Sequence, residues 1–136
     1  YYGQEFLWSI NTGTSSNFGA LTSPSISLPT IAGNSAIVLE FDHFMRRSES
    51  RLPYDCGFVR IIDTASGGMT QKAFISSSTL IPSPLVEPVF EHREINISEF
   101  AGRTIQVQFY FDTLDGLSNT GEGWYIDNVR VSLRAR

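Results

Sequence analysis

The sequence of 136 residues contains only one cysteine, Cys56. No disulfide can form within the chain, which excludes a small extracellular scaffold held together by cystines. A chain of this length buries enough surface to fold as one domain without them. Cys56 lies beside a strand-like run in YDCGFVRII, where a small buried thiol is the ordinary interpretation.

Basic residues are also few and scattered. Lys72 is the single lysine, and ten basic residues stand against 14 acidic ones, for a formal net charge of −4. A surface that binds nucleic acid normally appears as a basic stripe, so we expect no nucleic-acid partner. No apolar run is long enough to cross a membrane, and we expect no membrane insertion. The first residues, YYGQEFLW, lack the basic start and long apolar segment of a signal peptide, and the chain has no initiator Met. We therefore interpret it as a mature product or a piece of a longer protein.

Catalytic motifs are missing from the sequence. His43 and His92 are the only histidines, no HExxH pattern is present, and no GxSxG pattern is present. Paired carboxylates can hydrolyse a glycoside, but only their separation in space identifies such a pair. His43 falls on the apolar side of a strand-like segment, where a hydrogen-bonded core histidine is the simplest interpretation. The sequence favours a domain that is not an enzyme.

What the sequence does contain is a succession of short segments with period-two alternation, separated by Gly, Pro, Ser and Asn. The strongest are SAIVLEFDHFM, CGFVRIID, MTQKAFIS and TIQVQFYFDT. ALTSPSISL predicts an extended edge segment because Pro24 and Pro29 provide no amide donors. Only NISEFAG predicts a helical turn, with Ser98 as N-cap and Gly102 as its end. The pattern predicts an all-β fold: a single antiparallel two-sheet sandwich of jelly-roll type over residues 1–136.

The last segment, GEGWYIDNVRVSLRAR, places a carboxylate on its apolar side. Tyr125, Asp127, Val129, Val131 and Leu133 share one side of a regular strand. A buried charge without a partner is very unfavourable, so a core-facing Asp127 needs a cation, a set of hydrogen bonds, or a place at the rim of the sheet.

Several segments together resemble a known family. ALTSPSISL, LEFDHFM, DCGFVRI, ISEFAGRTIQVQFYFDT and above all GWYIDNVRV are similar to the secreted jelly-roll family typified by MAM domains, over roughly residues 6 to 133. Similar modules accompany bacterial secreted peptidases of the immune-inhibitor type and bacterial surface proteins, and jelly-roll carbohydrate-binding modules end in a similar strand. The chain lacks the cysteine pairs of animal MAM domains, which indicates a bacterial type. The resemblance implies a secreted or cell-surface location.

The resemblance also implies a structural calcium ion at the aspartate of the last strand, here Asp127. Asn128 stands where a second aspartate is common, so the site would carry less charge. Calcium prefers several carboxylate oxygens from loops and strand ends. We expect Asp42, Glu49 and Asp55 as further ligands, with Glu5 or the backbone carbonyls of SNFG as the alternative.

Candidate ligand-binding residues lie on the polar side of TIQVQFYFDT. Tyr110 points outward together with Gln106 and Gln108, and aromatic rings beside amides are typical of sugar sites on sandwiches. Tyr54 and Trp124, at the ends of loops, are further candidates. The simpler interpretation is that Trp124 fills the rim of the core and that Tyr110 covers the outer face of the sheet. We expect a non-catalytic extracellular module that recognises a glycan or a protein partner. The alternative is a structural domain that packs against a catalytic or filament-forming neighbour.

Overall fold

A computed structural model describes residues 18–46, 56–76, 90–112 and 123–135. These residues form eight strands and one short 3-10 turn. The strands are β1 (Phe18–Thr22), β2 (Ile26–Ser27), β3 (Ser35–Arg46), β4 (Cys56–Asp63), β5 (Met69–Ser76), β6 (Glu91–Asn96), β7 (Thr104–Asp112) and β8 (Gly123–Ala135), and the turn is Ser98–Phe100.

The strands form two antiparallel sheets that pack face to face. One sheet has the order β1-β7-β4-β5, with β2 also paired to β7, and the other has the order β6-β3-β8. The chain crosses between the sheets after β2, β3, β5, β6 and β7. The predicted all-β sandwich with two antiparallel sheets is confirmed.

The core lies between the sheets and follows the alternation of the strands. On β7, four buried side chains alternate with half-buried ones that point outward. On β3, Phe41 faces inward and meets Phe109 edge to face, with ring centroids 5.1 Å apart. Trp124, on β8, is fully buried and lies against the backbone of Gly57 on β4. Cys56 is buried as predicted, and its thiol lies 3.6 Å from the carbonyl of Asp112.

The predicted edge segment is also confirmed, since β1 and β2 occupy the sheet edge beside β7 on either side of Pro24. The turn near residue 100 differs in detail. Ser98 does not cap it; its hydroxyl instead accepts the amide of Ile37 at 2.9 Å, which ties the turn to β3. Gly102 ends the turn with φ of 75°, a conformation that favours glycine. Among the described residues, no helix has the length and apolar character needed to span a membrane.

The prediction that Asp127 faces the core is wrong, because a β-bulge interrupts β8. Glu40 pairs with Arg130 and Asp42 pairs with Asp127, so β8 has one more residue than β3 between these pairs. Asn128 takes φ of 52° at the bulge. Trp124 and Ile126 pack inward before it and Val131 packs inward after it. The five residues predicted to share the buried side therefore do not share one side of β8. Val131 packs inward, whereas Asp127, Val129 and Leu133 are exposed and Tyr125 is half-buried beside Phe44.

Candidate functional site

A row of aromatic rings crosses the outer surface of the β1-β7-β4-β5 sheet. The rings belong to Phe18 on β1, Tyr110 on β7, Phe58 on β4 and Phe74 on β5. Neighbouring centroids lie 6.2 Å apart from Phe18 to Tyr110, 6.0 Å from Tyr110 to Phe58, and 5.3 Å from Phe58 to Phe74. Phe18 and Phe74 are 65% and 46% exposed, and the two inner rings are half-buried. We call this surface the aromatic face.

The strand register explains why the rings form a row. Tyr110 lies directly opposite Phe58, and Phe58 lies directly opposite Phe74. Side chains at directly opposite positions of antiparallel strands project from the same face of the sheet and contact each other. The residues that flank these rings along the strands, such as Val59 and Phe109, point into the core. The core alternation itself therefore forces the aromatic side chains outward.

A guanidinium group lies over the centre of the aromatic face. The Cζ atom of Arg60 is 4.2 Å from the ring centroid of Tyr110 and 5.2 Å from that of Phe58, both within cation–π range. Gln108 lies directly opposite Arg60 on β7, and its Nε2 donates to Thr22 Oγ1 at 3.1 Å. Apolar rings, an amide and a positive charge thus lie side by side on one surface.

Tyr110, predicted as a ligand-binding residue, is on this face as expected. Its hydroxyl donates to Asp112 Oδ2 at 3.4 Å. Burial and the negative charge of Asp112 raise the pKa of Tyr110, so the hydroxyl remains protonated at neutral pH. The other aromatic candidates do not join it: Trp124 is fully buried, and Tyr54 lies outside the described residues.

The outer surface of the β6-β3-β8 sheet is charged instead. At its centre Glu40 is only 4% exposed. Arg134 Nη2 lies 2.7 Å from Glu40 Oε1, Arg130 Nη2 lies 3.2 Å from Glu40 Oε2, and the Ser132 hydroxyl donates to Oε2 at 3.1 Å. These bonds, led by that from Arg130, outweigh the opposing effect of burial and lower the pKa of Glu40 to about 2. We call this surface the charged face.

His92 extends the charged face toward Asp42. Its Nδ1 lies 2.7 Å from Asp42 Oδ1, and its Nε2 lies 3.3 Å from Glu40 Oε1 and 3.4 Å from Glu94 Oε1. The hydrogen bond to Asp42 is the main cause of a raised pKa for His92. Hydrogen bonds from Asn128 and then His92 lower the pKa of Asp42. A protonated His92 therefore fits the negative charges around it.

Glu40, His92 and Glu94 each place one ligand atom within 4.8 Å of the others, the spacing of a metal site. Both carboxylates, however, already bind Arg134, at 2.7 Å from Glu40 and 2.9 Å from Glu94. A metal ion at this place would have to displace that guanidinium. We therefore interpret the cluster as an ion-pair network.

Two of the four predicted calcium ligands lie together. Asp42 and Asp127 are directly opposite each other on β3 and β8. Asp127 Oδ1 accepts the backbone amide of Asn128 and Asp42 Oδ2 accepts its side-chain amide, both at 2.8 Å. Glu49 and Asp55 lie outside the described residues. Since calcium takes about six to eight oxygens, two carboxylates fit part of such a site. Asp127 is exposed, so burial no longer requires a cation there, and the calcium site stays a prediction.

His43 is a core residue, as the sequence indicated. Trp124 Nε1 donates to His43 Nδ1 at 3.2 Å, and both side chains are buried. His43 Nδ1 therefore accepts this bond, and Nε2 lies 3.7 Å from Glu91 Oε2 and 3.4 Å from Arg93 Nε. Burial is the main cause of a lowered pKa for His43. The pair satisfies the only polar atom of the Trp124 ring.

Sequence reasoning identified Tyr110 and Gln108 but missed Arg60, Phe58 and Phe74. The signal was present in CGFVRIID and MTQKAFIS, where these residues occupy the side opposite the core-facing positions. Comparisons with protein-family models and with curated proteins find no match for this chain. The resemblance to MAM-like jelly-roll domains therefore stays a prediction.

Proposed function

We propose that this domain is a non-catalytic module that binds a glycan on the aromatic face. The observation that supports the proposal is the row of four aromatic rings across four strands, with Arg60 and Gln108 beside it. Exposed apolar patches of this kind on a folded protein are commonly interaction sites.

The chemistry of the face matches the chemistry of a sugar. A pyranose ring has an apolar C–H surface, which packs on an aromatic ring, and a rim of hydroxyls, which need hydrogen-bond partners. The face offers the rings of Phe74, Phe58 and Tyr110 together with the amide of Gln108 and the guanidinium of Arg60. A sheet also presents these groups on a rigid scaffold, so little entropy is lost on binding.

The alternative class is a structural domain whose aromatic face is covered by a neighbouring domain or protein. That arrangement also explains exposed Phe18 and Phe74. It differs in a measurable way, because the isolated domain would then bind no glycan, while a pull-down would retain the protein neighbour.

The experiment is a glycan array followed by calorimetric titration of the best ligand against matched variants. Phe74→Ala removes an aromatic ring that is 46% exposed on the aromatic face, and Phe90→Ala removes one that is 45% exposed beside the charged face. We expect Phe74→Ala to weaken binding about tenfold, the equivalent of about 1.4 kcal/mol, and Phe90→Ala to leave it unchanged. Equal effects of the two variants, or no glycan bound, contradict the proposal.

The proposal includes the absence of catalysis and a secreted or cell-surface location. The lack of catalytic motifs supports the first, and the resemblance to secreted jelly-roll domains supports the second. Incubation of the domain with a glycan that it binds should release no reducing ends. Release that depends on Asp112, the carboxylate beside Tyr110, would instead identify a glycoside hydrolase.

A further inference from the structure

Arg60 differs from the other Lys and Arg side chains that the structure describes. Each of the others has a carboxylate oxygen within 4.0 Å: Lys72 at 3.0 Å, Arg93 at 3.9 Å, Arg103 at 2.8 Å, Arg130 at 3.2 Å and Arg134 at 2.7 Å. Arg60 has no such partner in the described part of the chain, and no hydrogen bond there uses its guanidinium. In a protein with more acidic than basic residues, an arginine without a carboxylate partner among the described residues is a conspicuous exception.

The surroundings of Arg60 distinguish its guanidinium from an ordinary solvated surface charge. Its side chain is half-buried, and its guanidinium lies over two aromatic rings, 4.2 Å from the centroid of Tyr110 and 5.2 Å from that of Phe58. Stacking on a ring satisfies the face of a guanidinium, but its N–H donors lie in the plane and remain available. The rings also fix the position of the group and reduce the entropy lost when it binds a ligand.

We propose that Arg60 makes the aromatic face selective for acidic glycans, that is, for a sugar whose ring carries a carboxylate or sulfate group. The inference rests on the proposed glycan-binding function and defines its ligand class. The planar fork of an arginine binds two oxygens of such an anion at once, and charge-assisted bonds of this kind are stronger than neutral ones. The rings of Tyr110 and Phe58 then contact the C–H surface of the same sugar or of its neighbour.

The remaining charges set the orientation of the ligand. Asp112 is the last residue of β7 and lies next to the Tyr110 hydroxyl, where its carboxylate disfavours a second anion. An acidic group of the ligand therefore belongs beside Arg60 at the centre of the face, away from Asp112. The net charge of −4 opposes the approach of any polyanion, but screening at physiological salt confines this effect to about 8 Å. Long-range attraction between net charges therefore cannot explain binding of an acidic glycan, which must depend on the local contacts at Arg60.

The test compares acidic and neutral ligands on wild type and on three variants whose melting temperatures confirm folding. On an array that contains uronic-acid, sulfated and neutral oligosaccharides, we expect acidic members to bind best. Methyl esterification or desulfation of the tightest ligand removes its carboxylate charge or its sulfate group, and the loss of affinity shows which of the two groups Arg60 binds. Arg60→Gln should weaken binding of that ligand about ten- to a hundredfold, and Arg60→Lys should weaken it less. Arg93→Gln removes the same charge from the other sheet and should have no effect.

Each contrary outcome has its own meaning. Neutral ligands that bind as tightly as acidic ones, with Phe74→Ala still weakening them, overturn the selectivity and leave the glycan-binding function intact. Equal losses for Arg60→Gln and Arg93→Gln show diffuse attraction and also overturn it. Binding of no glycan overturns both proposals.

Discussion

Substitution of Gly57 by alanine tests the packing of the two sheets. A Cβ atom at this position would lie 2.7, 2.8 and 2.9 Å from three atoms of the Trp124 ring. Carbon atoms pack best at about 3.5–4.0 Å, so either the strand or the ring must move by most of an ångström. Trp124 is fully buried and its Nε1 is bonded to His43, which leaves the ring little freedom to move.

The expected loss of stability follows from overpacking of a core. Extra methyl groups in a well-packed interior cost about 1–3 kcal/mol, and we expect the upper half of that range for a contact with a fixed ring. In a domain of this size each kcal/mol shifts the melting temperature by roughly 3–4 °C. Gly57→Ala should therefore melt about 6–12 °C lower than wild type.

Thermal and urea denaturation of four variants measures the effect: Gly57→Ala, Gly33→Ala, Trp124→Phe and the double variant Gly57→Ala/Trp124→Phe. Gly33→Ala is the matched control, because a Cβ there meets no atom within 4 Å; it should be neutral or slightly stabilising. Trp124→Phe in the Gly57→Ala background should destabilise by less than the sum of the single substitutions, since the smaller ring relieves the clash. If Gly57→Ala has the same melting temperature as wild type, Trp124 does not pack on β4 as described.

Three further predictions concern β8 and the charged face. Asn128 has φ of 52°, a left-handed conformation that alanine adopts unfavourably. Asn128→Ala should therefore lower the free energy of unfolding measured in urea by about 1–2 kcal/mol, and Asn128→Gly should lower it less. Equal losses for the two variants would contradict a left-handed conformation at the bulge. The pKa of His92 is raised above its ordinary value of 6.5, so its contribution to stability is fully present below pH 6.5 and is lost as the pH rises through the folded pKa. The difference in the free energy of unfolding between wild type and His92→Gln should therefore be largest near pH 5–6 and should shrink at alkaline pH. A difference that does not depend on pH would show that the His92–Asp42 pair does not form. If calcium binds at Asp127, chelation should lower the melting temperature and added calcium should restore it. At a hundredfold excess over Kd, calcium binding should stabilise the fold by about 2.7 kcal/mol, and Asp127→Asn should abolish this response. A melting temperature that changes with neither chelator nor calcium would contradict the calcium hypothesis.

The sheets were predictable because core alternation leaves a strong signal. β7 alternates regularly along its length, and on β3 Ile37, Leu39 and Phe41 share one side; the structure places these apolar sides in the core. The bulge in β8 was not predictable from the same rule. Period-two reasoning assumes a regular strand, and one extra residue exchanges the two sides. The error for Asp127 follows from that assumption alone.

The candidate site was predictable only in part, for a different reason. Tyr110 was recognised because it points outward on a regular strand. Its alignment with Phe58 and Phe74 depends on which strands are neighbours and in which register, and strand order is a property of the fold rather than of any one segment. The cation–π position of Arg60 likewise requires the pairing of β4 with β7.

The most direct test of the central claim is a two-dimensional NMR titration of the isotope-labelled domain with the glycan that it binds. The account predicts shift changes at residues of the aromatic face, with Arg60, Gln108, Tyr110 and Phe74 among the largest, and little change at Glu40, His92 and Arg134 on the charged face. Changes centred on the charged face, or none at all, would contradict it.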